Sequence, residues 1–298
     1  MTHDHHHAHE PAHGLPYGLF TLSTLAQLGA ALGIFYWIAP ESFLNEVSQP
    51  WMILLCTALF GIPISLFEYL YHRYLLHSAV LPFLKSMHRA HSHHHGLTNV
   101  KAAVRPGEPD QMVPVESKYP IEHEHQEESM MFPYYALSIF YAMFFVLFGL
   151  PAVLLFGGAP VVVSFLLAVT FCYAGYEVWH AIVHLPFEKF WKPMMESRVF
   201  GKATKHAYGF HLMHHWRPTC NLAVVGLWGV AVWDYAFGTH RRPENLPLHG
   251  SDVTFNDAQL NKPRFPIAQI DKVSASWYRW SRRVEAFMAR VFLGRKTE

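Results

Sequence analysis

Ten histidines of this chain stand in four short clusters: His72 and His77; His91, His94 and His95; His180 and His184; His211, His214 and His215. Neutral imidazole is a strong ligand for first-row transition metals. Ten such ligands are too many for one ion. They suit two ions held side by side, a site that belongs to oxygen chemistry more than to structure. On a helix, residues at i, i+3 and i+4 share one face. His91, His94 and His95 therefore present three imidazoles toward one point, as do His211, His214 and His215, and His180 with His184 presents two. His72 and His77 fit less simply, because five steps of about 100° leave their rings roughly 140° apart on an ideal helix. Either the helix ends between them or a π-bulge intervenes, a distortion frequent at functional sites. The second cluster can be parsed in several registers. Taking His91, His94 and His95 reproduces the spacing of the fourth and leaves His88 and His93, like His206, as supporting or solvent-exposed side chains.

The elements that must position these clusters are apolar. A bilayer-spanning helix needs about 20 mostly apolar residues. Residues 17–39, 51–71, 132–156 and 161–179 meet or approach that, and none contains Lys or Arg. Tyr17, Tyr36, Trp37, Trp51, Tyr69 and Tyr71 mark the ends of the first two runs, as aromatic residues do at membrane interfaces. No basic segment precedes the first run, so a signal peptide is not expected. Positive charge is one-sided: six Lys and Arg lie between Arg73 and Lys118, and the other seventeen follow from Lys189 onward. With four spans, both basic segments fall on one side, which the positive-inside rule makes cytoplasmic together with all four clusters. The expected architecture is a multi-pass, all-α membrane protein: about four transmembrane helices and a cytoplasmic helical cap holding a histidine-rich dimetal site.

The composition agrees. Of 298 residues, 51% are apolar and only 15% charged, low for a soluble protein. The net charge of +1 gives no field that would favour nucleic acid. Cys56, Cys172 and Cys220 form no C-x-x-C pair, so neither a disulfide framework nor a zinc ribbon is expected. Residues 1–14 form a head holding His3, His5, His6, His7, His9 and His13, low-complexity and expected to be disordered. The membrane domain covers residues 15–242 and a tail covers 243–298. In that tail, Trp277, Trp280, Val284, Phe287, Met288 and Val291 share one helical face, with Arg279, Arg282, Arg283 and Arg290 around it. Such a helix over residues 273–292 lies in the membrane interface or packs as an ordinary surface helix on the cap. Residues 96–130, rich in Pro and Glu, read as a solvated connection or a lid.

With Asn221 and the run Trp233-Asp234-Tyr235-Ala236-Phe237-Gly238-Thr239 added, the clusters resemble the fatty acid hydroxylase and sterol desaturase superfamily of membrane di-iron, histidine-box enzymes. The resemblance covers about residues 53–240. It implies the ten clustered histidines as ligands of two iron ions, zinc being a possible substitute, and O2 as co-substrate. It implies hydroxylation of a C–H bond of a membrane lipid (fatty acyl, sterol or related), with no catalytic side chain beyond the metal ligands. No heme, flavin or dinucleotide-binding module is evident, so a separate electron donor, cytochrome b5-like or ferredoxin-like, is expected. Glu68 and Glu177, one turn before His72 and His180, are candidates to orient an imidazole N–H; Asp234 and Asn221 are further candidates. A desaturase of the same superfamily is the near alternative. A structural protein holding two zinc ions is another. A transition-metal transporter would place its ligands near mid-membrane, whereas here the central parts of the spans hold no histidine.

Overall fold

The computed structural model describes residues 17–78, 80–81, 85–97, 112–114, 132–185, 187–241, 252–254 and 262–293. The histidine-rich head and most of the 96–130 connection lie outside these residues.

Among the described residues, four helical segments are long and apolar enough to cross a membrane: Tyr17–Ile38, Pro50–Leu76, Ala136–Leu155 and Val161–Val183. The first is α1 (Tyr17–Ile38), followed by the short α2 (Pro40–Val47). The second is α3 (Pro50–Tyr71), prolonged by a π turn over His72–Leu76. The third joins α5 (Ala136–Phe144) to α6 (Leu150–Leu155) through a π segment, Phe145–Gly149. Pro151 has no N–H to continue the α pattern, and the Leu150 N–H reaches back to the Phe145 carbonyl instead. The fourth is α7 (Val161–Val183).

α7 is the central post. Of its most apolar window 56% is buried, against 11% for α1. Ile64 of α3, Leu137 and Phe144 of α5, and Phe165, Val169 and Tyr173 of α7 form the main core, closed on one side by Phe20 of α1. The outward faces stay apolar: Leu22, Leu54, Leu154 and Phe171 are exposed, the pattern of a bundle whose solvent is lipid. At one end of the bundle, Glu46 of α2 accepts the backbone N–H groups of Val162 and Val163 and so caps α7 from a neighbouring helix.

At the other end lie α4 (Lys85–Leu97), α8 (Lys192–Met195), α9 (Gly201–Trp216), α10 (Val232–Phe237) and α11 (Ile267–Leu293). The fold is mostly helical; among the described residues two three-residue strands, β1 (Met112–Pro114) and β2 (Asp252–Thr254), pair antiparallel with Val113 opposite Val253. α11 begins six residues before the helix expected from Val273. Its first residue, Ile267, is buried with Tyr69 and Leu222. Asp271, one turn on, takes two hydrogen bonds from Arg73, at 2.9 and 2.6 Å, and one from Tyr74 at 2.8 Å. The tail is thereby fastened to the turn that carries His72 and His77.

Candidate metal centre

The structure brings all ten clustered histidines to this end of the bundle, in two groups of five that could each hold a metal ion. One group is His72, His77, His91, His95 and His214; the other is His94, His180, His184, His211 and His215. Within each group the candidate ligand nitrogens lie within 4.8 Å of one another.

The two triples do not each converge on one point. His91 and His95 serve the first group while His94 serves the second; His211 and His215 serve the second while His214 serves the first. Helix geometry gives the reason. Relative to i, position i+4 is turned by about +40° and i+3 by about −60°, so the two stand about 100° apart. Two groups placed on either side of that edge divide the triple between them. Each group thus takes one whole pair, the i and i+4 members of one triple, and the i+3 member of the other.

The pairs arrive differently. His180 and His184 end α7 at ordinary helical spacing. His72 and His77 are brought together by the π turn, in which the His77 N–H bonds the His72 carbonyl at 3.1 Å, five residues back. The extra residue in the turn removes much of the angular mismatch of five α-helical steps. The two rings face each other at 5.0 Å, 23° from parallel.

Hydrogen bonding in the first group points to a cation. His72 Nδ1 lies 2.5 Å from the Leu222 carbonyl and His214 Nδ1 lies 2.8 Å from the Cys220 carbonyl. A carbonyl only accepts, so each Nδ1 carries its proton and each neutral ring presents a bare Nε2. The Nε2 atoms of His72, His91, His77 and His214 form a chain with steps of 3.1, 3.0 and 3.1 Å. Three hydrogen bonds need three protons, yet only His91 and His77 can carry one on Nε2. One step therefore lacks its proton, and nitrogens at that distance call for a shared positive ion. In the second group, His184 and His211 Nε2 are 2.9 Å apart, His211 and His215 Nε2 are 3.0 Å apart, and buried His94 Nε2 has no hydrogen-bond partner among the described residues.

The spacing also suits ligation of a shared ion. Two bonds of about 2.1 Å at a right angle place their nitrogens about 3.0 Å apart, and at a tetrahedral angle about 3.4 Å apart. The closest nitrogen pairs, at 2.9–3.1 Å, are near enough for one ion to bond both members of a pair. Burial holds the imidazoles ready, since desolvation lowers the pKa of His77, His91, His94, His95, His184, His211 and His215 well below the ordinary value, and that of His214 to about 4. Neutral rings keep the lone pair a metal requires.

The leftover histidines separate from these groups. His93 is exposed. His206 stacks on His240, centroids 6.1 Å apart. His88 gives its Nδ1 proton to the Leu76 carbonyl at 2.8 Å. Comparison of the chain with protein-family profiles, with curated proteins and with solved structures finds no match.

The groups that orient imidazoles are backbone carbonyls of residues 220 and 222, and the carboxylates act one step behind them. Glu68 accepts the N–H groups of Val224, Val225 and Gly226, at 2.6, 3.0 and 3.0 Å. Glu177 accepts the Phe132 N–H at 3.1 Å, and its other oxygen has no hydrogen-bond partner among the described residues. Asp234 accepts the N–H groups of Leu222 and Ala223 and the Thr239 hydroxyl, fixing the loop whose Leu222 carbonyl holds His72. Asn221, at φ +50°, donates to the Phe210 and Arg241 carbonyls and accepts the Arg241 N–H. Sequence reasoning missed the two carbonyls, which no side-chain type announces. It also missed the apolar slot between α3, α5 and α7, lined by Phe67, Tyr71, Phe132, Phe144, Tyr173 and Tyr176. Tyr176 of its wall stands one helical turn before His180, with ring centroids 5.6 Å apart.

Proposed function

We propose that this chain is a membrane di-iron enzyme of the fatty acid hydroxylase and sterol desaturase type, which inserts oxygen into a C–H bond of a lipid at the cytoplasmic face of its membrane. The observation that carries the reading is the pair of adjoining five-imidazole groups at one end of the bundle; an apolar slot between spanning helices has Tyr176, one helical turn before His180, in its wall.

Two iron ions, one held by each group of five imidazoles, would supply the O2 activation that an unactivated C–H bond demands. The remaining work falls to the chain. His72 and His214 are fixed in the Nδ1–H tautomer by the Leu222 and Cys220 carbonyls. Asp234 and Glu68 hold the loop that offers those carbonyls and the backbone beside it. The aromatic walls of the slot exclude water and accept an alkyl chain from the bilayer. Electrons come from a separate carrier. The one-sided Lys and Arg support a cytoplasmic position for the groups. Their position at the ends of the second and fourth spans, away from mid-membrane, favours surface chemistry on lipid over metal transport. Five ligands per group exceed the four of a closed structural zinc site.

Lipid mass spectrometry of cells with and without the chain tests the proposal. A lipid species gaining one oxygen, lost with His184→Ala while the variant remains in the membrane, is the expected result. Loss of two hydrogens would make the chain a desaturase. An unchanged lipid profile, or full activity of His184→Ala, would overturn the proposal.

A further inference from the structure

The two groups meet different surroundings. All five members of the second group are buried, whereas His77 and His95 of the first are partly exposed. Those two rings line a cavity of about 630 Å³ framed by the π turn, α4 and α11, whose wall includes His88, Ser92, Asp271 and Ser274. This cavity carries more polar side chains than the aromatic slot near His180.

His88 is oriented as the ligands are. Its Nδ1 proton goes to the Leu76 carbonyl, as that of His72 goes to Leu222 and that of His214 to Cys220. A neutral ring held this way presents a bare Nε2. His88 stands two turns before His95, on the same face of α4. It belongs to neither group of five. Asp271 is engaged by Arg73 and Tyr74, so the cavity's carboxylate is already neutralised and makes no strong cation trap. His88 lines the same cavity as His77 and His95, with Arg73 and Asp271 paired in its wall.

We propose that this cavity is the route by which a first-row divalent metal reaches the His72 group, with His88 as the first protein ligand to take it. The proposal rests on reading the two groups as metal sites. It makes the two positions unequal, the His72 position loading and exchanging ahead of the buried His180 position.

The test is Co(II) uptake by the full-length chain in detergent after chelator stripping, with bound metal counted at intervals. The unsubstituted chain is expected to take up two equivalents in two phases. His88→Ala is expected to slow the first phase roughly tenfold, the lower end of what losing a partner of a metal site costs, and still to reach two equivalents. Ala275→Trp, which fills the cavity, is expected to act likewise. His88→Asp, which also loses the bond to Leu76 but keeps a ligand, is expected to load close to the unsubstituted rate. Loading of His88→Ala at the unsubstituted rate overturns the route while leaving the metal centre standing. So does a final count one equivalent short, or His88→Asp as slow as His88→Ala. An unsubstituted chain that takes up no Co(II) overturns the metal centre and the route together.

Discussion

The imidazole of His95 stacks on that of His215, ring centroids 4.1 Å apart and planes 16° from parallel, although the two rings belong to different groups of five. The groups therefore share a wall. His94, the chain neighbour of His95, turns its ring 86° from it and serves the other group. α4 and α9 each straddle that wall, so neither group can be assembled without both helices.

This division fixes the register of the second cluster. His94→Ala is expected to lower metal binding from two equivalents toward one, and His93→Ala, at an exposed position, to leave two. Equilibrium titration with Co(II) separates the variants. A drop with His93→Ala and none with His94→Ala would shift the register by one residue.

The loop anchors are expected to act on stability before chemistry. Glu68 accepts three backbone N–H groups. Glu68→Ala leaves them without that acceptor, at about 1–3 kcal/mol for each buried donor left unpaired. The melting temperature in detergent is expected to fall steeply, while protein that remains folded in the cold still binds two metals. Retained stability with lost metal would instead make Glu68 an orienting group for an imidazole.

Asp234 sits nearer the metal centre, because its Leu222 N–H bond fixes the carbonyl that holds His72. Asp234→Asn keeps the size but replaces one accepting oxygen by a donor facing an N–H. It is expected to lower both the melting temperature and the affinity for metal, the latter by roughly tenfold or more. Unchanged metal affinity would separate the loop from the ring it is said to hold.

The metal-free chain is expected to lose stability in mild acid. Burial lowers the pKa of His214 to about 4 from the ordinary 6.5. Between those values the unfolded chain binds a proton that the folded chain refuses. This contribution is therefore fully present above about pH 6.5 and lost as pH falls toward 4. The other buried imidazoles outside the spans shift in the same direction. Chemical denaturation of stripped protein across that range checks the sign. Flat or rising stability toward acid would contradict the burial of neutral rings.

Much of this was legible in the residues. Apolar runs without Lys or Arg mark the four long helices, because bilayer length and helix rise leave little freedom. The five-residue step from His72 to His77 announces a conflict with α-helical geometry, and the π turn resolves it. The division of each triple was hidden, since i, i+3 and i+4 share a face whether they serve one point or two. Glu68 next to His72 suggested a partner for imidazole, yet it binds a loop some 156 residues away. The Cys220 and Leu222 carbonyls leave no trace in side-chain type. Asp271 meeting Arg73 across 198 residues is equally silent until the chain is folded.

Iron counted per chain tests the central claim most directly. Full-length protein loaded anaerobically with Fe(II), then freed of excess, is expected to retain two irons per chain, one for each group of five histidines. Retention of none, or of a single iron that His94→Ala and His77→Ala remove alike, would contradict it.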